Sequence, residues 1–218
     1  MDKIIGTNLG NWLVLEKWMQ AFIFKGPGAE DETWLNRNVP QEKLWPMMKE
    51  HRDTYVTEED FQNIASHGLN TVRIPVPYFI FGDREPYSGC IEYLDKAFDW
   101  AGKYGLKVLV DLHTAPGGQN SYDNGGIEGV CKWSQQPDEV EFVLTVLERL
   151  GRIIWNRSTQ RAYQLQRLYD CTQQKESSRQ SRSQRFPPCF QQIPEKVLCA
   201  GPRTASQNPA RGKSNRIS

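Results

Sequence analysis

The sequence has no apolar run close to the ~20 residues a membrane-spanning helix needs, so no membrane partner is expected. Its five cysteines, Cys90, Cys131, Cys171, Cys189 and Cys199, form no CxxC pair and no Cys/His cluster at metal-ligand spacing. That excludes a metal centre built on such motifs, and no metal or cofactor is expected. An odd count without a framework points to a reducing compartment. The opening residues, MDKIIGTNLGNW, carry no basic-then-apolar leader. The expected location is therefore cytoplasmic, or extracellular if a leader is missing.

Apolar content is also low, at 38% hydrophobic residues and a mean hydropathy of −0.65. The average hides two regions. Residues 156–218 hold 12 Lys+Arg and 3 Asp+Glu, a balance of +9. The whole chain is +1, which leaves residues 1–155 at −8. The basic part is rich in Gln, Ser and Arg, with scattered prolines, and cannot bury enough apolar surface to offset its ordering entropy. Residues 1–155 read as one partial domain and 156–218 as a disordered tail, with at most a helical turn or two within Gln160–Tyr169. A basic tail can bind nucleic acid through charge alone. No nucleic-acid motif accompanies this one, and no nucleic-acid partner is expected. Oligomeric state is not legible.

What is present in the front part is a rhythm. Lys3–Thr7 suits a short strand. Asn8-Leu9-Gly10-Asn11-Trp12 then turns into the apolar stretch Leu13–Trp18, which contains one carboxylate, Glu16. Residues 25–53, punctuated by Gly26, Pro27, Gly28 and Pro40, read as loop with a short helix near Gln41–Glu50. Thr57-Glu58-Glu59-Asp60 is a capping-box start. Phe61, Ile64 and Ala65 follow at helical spacing, and Gly68 suits the end. Leu69–Val76 reads as a strand. Ile91, Leu94, Phe98 and Ala101 mark a second helix that stops at Gly105, and Leu106–Leu112 is again a strand. Helix, glycine and apolar strand thus recur about 37 residues apart, the rhythm of a parallel sheet. A third helix opens at Pro137, with Val140, Val143, Val146 or Leu147, Leu150 and Ile154 on one face and Gly151 as an interruption or end. The rhythm then calls for a fourth strand, and no apolar run supplies it.

Within this rhythm, Lys107–Asp123 concentrates the chemistry. Val108–Leu112 reads as a strand buried on both faces. It ends at His113 and opens into a loop broken by Pro116, Gly117 and Gly118. Gln119, Asn120, Tyr122 and Asp123 follow as hydrogen-bonding and stacking groups. A strand whose C-terminal end carries a His and a Gly-rich loop is how α/β barrels present reactive groups. An ordinary turn between elements is the alternative.

Three stretches, NLGNWLVLEKWM (8–19), TEEDFQNIASHGLNTVRIPVPYFIF (57–81) and EYLDKAFDWAGKYGLKVLVDLHTAPGGQNSYDNGG (92–126), resemble glycoside hydrolase family five, in particular its exo-β-1,3-glucanase-like members. The resemblance covers about residues 4–152. It implies an α/β fold, the first three βα units of an incomplete (β/α)8 TIM barrel, and retaining hydrolysis of a β-glucan or glucoside. It implies that Glu16 binds sugar hydroxyls in the glycone subsite and that Arg73 stands near the nucleophile. It places His113 as a hydrogen-bonding group of the glycone site and Tyr122, beside Asp123, as an aromatic platform. Asp123 can equally be a turn former beside Asn124-Gly125. Trp12 and Trp18 are further candidates for substrate contact, with core packing the rival for Trp12. Asp111 reads as support for the loop, and Arg73 as lacking an acidic partner in this chain.

Retaining glycosidases use two carboxylates about 5–5.5 Å apart. The resemblance places the acid/base in an Asn-Glu-Pro motif at strand four and the nucleophile at strand seven. No Asn-Glu-Pro occurs in residues 1–218, and the acids after Trp155 are Asp170, Glu176 and Glu195. No catalytic residue is therefore assigned, and the chain is expected to be inactive. A non-catalytic carbohydrate-binding remnant is the alternative. The family pattern stops near Arg152, which suggests an out-of-frame continuation or a fusion to a basic tail.

Overall fold

The structure is a computed structural model, and it describes residues 3–26, 28–158 and 164–166. Four strands form one parallel sheet in sequence order: β1 (Gly6–Asn8), β2 (Thr71–Val76), β3 (Lys107–Leu112) and β4 (Gln164–Gln166). Between β1 and β2 lie α1 (Ala21–Phe24), α2 (Glu32–Asn38), α3 (Gln41–Tyr55) and α4 (Glu58–Ser66). Helix α5 (Ile91–Tyr104) joins β2 to β3, and α6 (Pro137–Ser158) joins β3 to β4. Parallel neighbours require such crossovers, and a helix in each fills that need.

The period of two sorts the strand residues. Val72, Ile74 and Val76 of β2 and Val108, Val110 and Leu112 of β3 are buried in one cluster with Phe61 of α4, Leu94 and Phe98 of α5, and Val143, Val146 and Leu150 of α6. Arg73 and Asp111 alternate with them and project to the opposite face. Leu109, on that face, is only half-buried, so β3 is sealed on the helix side rather than on both. A second cluster, Leu15, Ile23, Phe24, Leu35, Leu44 and Met48, packs α1, α2 and α3 against the stretch after β1.

Helix ends follow the sequence where capping chemistry is explicit. The Thr57 N–H donates to Asp60 Oδ2 at 2.7 Å, closing the capping box of α4. Gly105 ends α5 with φ of 73°, a left-handed conformation that glycine adopts without a Cβ penalty.

Three expectations need correction. Residues 25–53 are mostly helical: α2 starts behind an Asp31 cap, and α3 runs on to Tyr55 with Pro46 inside it. Gly151 does not end α6. A fourth strand does exist at Gln164–Gln166, where a helical turn was expected. Leu109, Val110 and Asp111 pair with it. Ladder bonds use main-chain groups, so a short edge strand forms without an apolar run to announce it. Residues 159–163 and 167–218, the rest of the tail expected to be disordered, lie outside the described residues.

The loop after β3 folds back on residues 127–133. Lys132 N–H donates to Gly117 O at 2.9 Å and Trp133 N–H to Gly118 O at 3.2 Å. Gly118 has φ of 73°, and a Cβ there would stand 2.3 Å from Val130 O. Replacing Gly118 with Ala adds both backbone strain and a clash, and should cost about 2 kcal/mol or more. A thermal melt of Gly118→Ala should show a transition several degrees lower; an unchanged transition would mean the turn relaxes freely.

Candidate functional site

The polar face of the sheet brings together Arg73 from the middle of β2, Asp111 near the end of β3 and His113 just past it. Arg73 Nη2 donates to Asp111 Oδ2 at 2.5 Å, and His113 Nδ1 lies 2.8 Å from the same oxygen. The carboxylate there accepts a hydrogen bond from Nδ1–H, which fixes the imidazole tautomer and leaves Nε2 outside the pair. Arg73 Nη1 donates to Asn8 Oδ1 at 2.8 Å, across the register that sets Asn8 opposite Arg73. The Asp111 side chain is 2% exposed, against 15% for His113 and 29% for Arg73. The acid is thus the buried anchor, and the two nitrogen groups are its accessible edge. Arg73 has an acidic partner after all. Asp111 supplies it because β2 and β3 run in register, with Pro75 opposite Asp111 and Arg73 one pleat away.

Glu16 sits close to this group, in a loop rather than on a solvated helix surface, and is 8% exposed. Asn11 shapes the loop. It adopts φ of 59°, is fully buried, and accepts from Glu16 N–H through Oδ1 at 2.8 Å. His51 Nε2 lies 2.7 Å from Asn11 O. Trp18 Nε1 donates to Glu16 Oε2 at 2.9 Å while its ring is 74% exposed. Gly10 explains how the two groups approach: a Cβ there would meet Asn8 Nδ2 at 2.9 Å and Glu16 Oε1 at 3.4 Å. Asn8, already bonded to Arg73, and Glu16 therefore flank the same small gap.

The other predicted residues fall in two groups. Tyr122 is 46% exposed and precedes a 3₁₀ turn, Asp123–Gly125. Asp123 Oδ1 accepts from Asn124 N–H at 2.9 Å, which fits the turn-former reading. Neither residue shares a hydrogen bond with Glu16, Arg73 or His113 among the described residues. Gln119 holds the loop from inside, donating to His113 O at 2.6 Å and accepting from Ala115 N–H at 3.0 Å. Trp12 is a core residue, fully buried, stacked on Trp100 at 6.3 Å, with Nε1 donating to Arg52 O. It is not placed to touch a ligand.

Sequence reading missed Asn8 as a partner of Arg73, and it missed Glu32. Asp31 before a helix start was the available signal, obscured by the surrounding glycines and prolines. Glu32 is 1% exposed and accepts from Leu15 N–H at 3.1 Å. Burial pushes its carboxyl from 4.5 up to about 7, against the opposing pull of Arg52 and the Leu15 N–H. Below pH 4.5 the acid is protonated in both folded and unfolded chains. Between 4.5 and about 7 only the folded chain keeps the proton, so stability falls as pH rises through that window. The loss amounts to about 3 kcal/mol across it. Glu32→Gln should remove this slope. The melting temperature of wild type relative to the variant should drop from pH 5 to pH 8, and a constant difference would contradict a neutral buried acid.

Residues 33–139 match the family described as Cellulase (glycosyl hydrolase family 5). Over that span the chain carries the sequence pattern of glycosyl hydrolase family 5. It is 46% identical over 156 residues to a probable glucan 1,3-beta-glucosidase A of Emericella nidulans, covering 69% of this chain and 38% of that protein. It is 42% identical over 155 residues to the glucan 1,3-beta-glucosidase of Pichia angusta, covering 68% and 36%. The rutinosidase of Aspergillus niger superposes with a TM-score of 0.69 at 28% identity, over 75% of this chain and 47% of that one. The chain thus spans less than two fifths of the length of the two curated relatives.

Proposed function

We propose that residues 1–155 are the sugar-holding arc of a (β/α)8 barrel whose complete form is a retaining hydrolase of β-linked glucans, of the glucan 1,3-β-glucosidase type. We propose also that the 218-residue chain binds such glucans without cutting them. The observation that carries this reading is the Asp111-centred cluster beside Glu16. A fixed imidazole just past β3, a guanidinium from the middle of β2 and the Glu16 carboxylate supply donors and an acceptor for sugar hydroxyls. The names of the relatives support the substrate class, and the exposed rings of Trp18 and Tyr122 suit stacking on a pyranose. Turnover needs an acid/base and a nucleophile about 5–5.5 Å apart. The Asn-Glu-Pro motif that would carry the first does not occur in these residues. Asp111 cannot stand in for either, because Arg73 and His113 both occupy its one bonded oxygen and it is buried.

Purified chain should bind a β-1,3-linked glucose trisaccharide in calorimetry and release no product from it or from a nitrophenyl β-glucoside. Glu16→Gln and His113→Ala should each weaken binding about tenfold, the equivalent of about 1.4 kcal/mol. Hydrolysis above the blank refutes inactivity. Wild-type affinity in both variants refutes the site.

The abrupt change of charge and composition after residue 155 favours an out-of-frame continuation over a fused basic tail. Translating the nucleotides after codon 151 in the other two frames should then give an apolar strand ending in Asn-Glu-Pro. Its absence from both frames would favour the fusion.

A further inference from the structure

The first turn of α2 makes more bonds than a helix start requires. Asp31, Glu32 and Thr33 are 1%, 1% and 8% exposed. Asp31 Oδ1 caps the helix by accepting from Trp34 N–H at 2.8 Å, and one such cap would suffice. The remaining bonds leave the helix in two directions. Glu32 Oε2 accepts from Leu15 N–H at 3.1 Å, one residue before Glu16. Thr33 donates twice to Gly126 O, from its N–H at 3.1 Å and from Oγ1 at 2.5 Å. With that hydroxyl proton spent, Tyr87 Oη must be the donor to Thr33 Oγ1, at 2.9 Å. Asp31 Oδ2 accepts from Glu128 N–H at 2.7 Å. Gly126 closes the turn that follows Tyr122. Three consecutive residues therefore tie down the loop bearing Glu16 and the loop bearing Tyr122 and Asp123.

The arrangement is costly. Glu32 is buried with Oε1 unpartnered, and Arg52 nearby keeps Nε and Nη2 unpartnered. A buried acid with an unsatisfied oxygen is a poor way to gain stability. It is a direct way to hold a neighbouring backbone N–H in one place.

We propose that Asp31, Glu32 and Thr33 form a positioning clamp that fixes the Glu16 carboxylate and the Tyr122 ring relative to each other, so that one bound saccharide chain engages both. The clamp rests on the reading of Glu16 as a sugar-holding group. It acts through the two loops and touches no ligand itself. Its consequence is a length preference: Glu16 holds one ring, and Tyr122 adds affinity only when further rings are present and the loops are in register.

The test measures affinity of the full chain for glucose and for a β-1,3-linked glucose trisaccharide, each variant below its own melting temperature. Thr33→Val, which is isosteric and remains available should Glu32→Leu not fold, is expected to lose about tenfold in trisaccharide affinity and stay within about twofold for glucose. Glu32→Leu is expected to weaken both ligands about tenfold or more, since misplacement of Glu16 affects every ring it holds. Glu32→Gln and Thr33→Ser keep the acceptor and the hydroxyl and should restore wild-type affinity. Loss of binding in Glu16→Gln with wild-type affinity in Glu32→Leu and Thr33→Val overturns the clamp and leaves the sugar site standing. Equal losses in the conservative and disruptive variants also overturn it. Absence of binding by wild type, or wild-type affinity in Glu16→Gln, removes the sugar site and the clamp together.

Discussion

One carboxylate organises the polar face of this sheet. Asp111 stands 1% exposed on β3 and accepts from Arg73 and His113 with one oxygen. An isolated buried carboxylate would be expensive, and two charge-assisted donors offset that cost. The same bonds take freedom from their partners. Arg73, on β2, is held between Asn8 of β1 and Asp111 of β3, and His113 is held in one tautomer at the end of β3. The network requires parallel strands in register, because that pairing brings residues 8, 73, 111 and 113 together on one face of the sheet.

The apolar architecture underneath makes that register rigid. The residues alternating with Arg73 and Asp111 are packed against three helices, so a one-residue slip would turn the polar set into the core. Glycines then shorten the distances where polar groups must converge. Gly10 lets Asn8 and Glu16 share a gap, and Gly118 lets the loop after β3 lie against Val130. Beneath the Glu16 loop, the buried Asn11, His51 and Glu32 bond its backbone rather than any solvent-facing group.

Much of this was legible in the residues. The alternation in TVRIPV and KVLVDL, the capping box at Thr57 and the glycine stops at Gly68 and Gly105 follow directly from local physics. Glu16 and Arg73 stood out because their motifs resemble a known family, and His113 because it ends an apolar strand before a Gly-rich loop. What escaped was non-local. The partnership of Arg73 with Asp111 depends on strand register, which no single stretch encodes. Apart from the Asp31 cap, Asp31, Glu32 and Thr33 looked like loop residues because their side-chain partners lie 17 to 97 positions away. Strand β4 was invisible because main-chain pairing left no apolar pattern in Gln164–Gln166.

The central claim is that the Asp111-anchored group and Glu16 present one surface to a sugar. A crystal structure of the chain grown with a β-1,3-linked glucose disaccharide tests it most directly. The account predicts a pyranose ring within hydrogen-bond distance of Glu16 and of His113 Nε2, with Arg73 and His113 still bonded to Asp111. A ring bound elsewhere, or an Asp111 carboxylate released from Arg73 and turned toward the sugar, would contradict it.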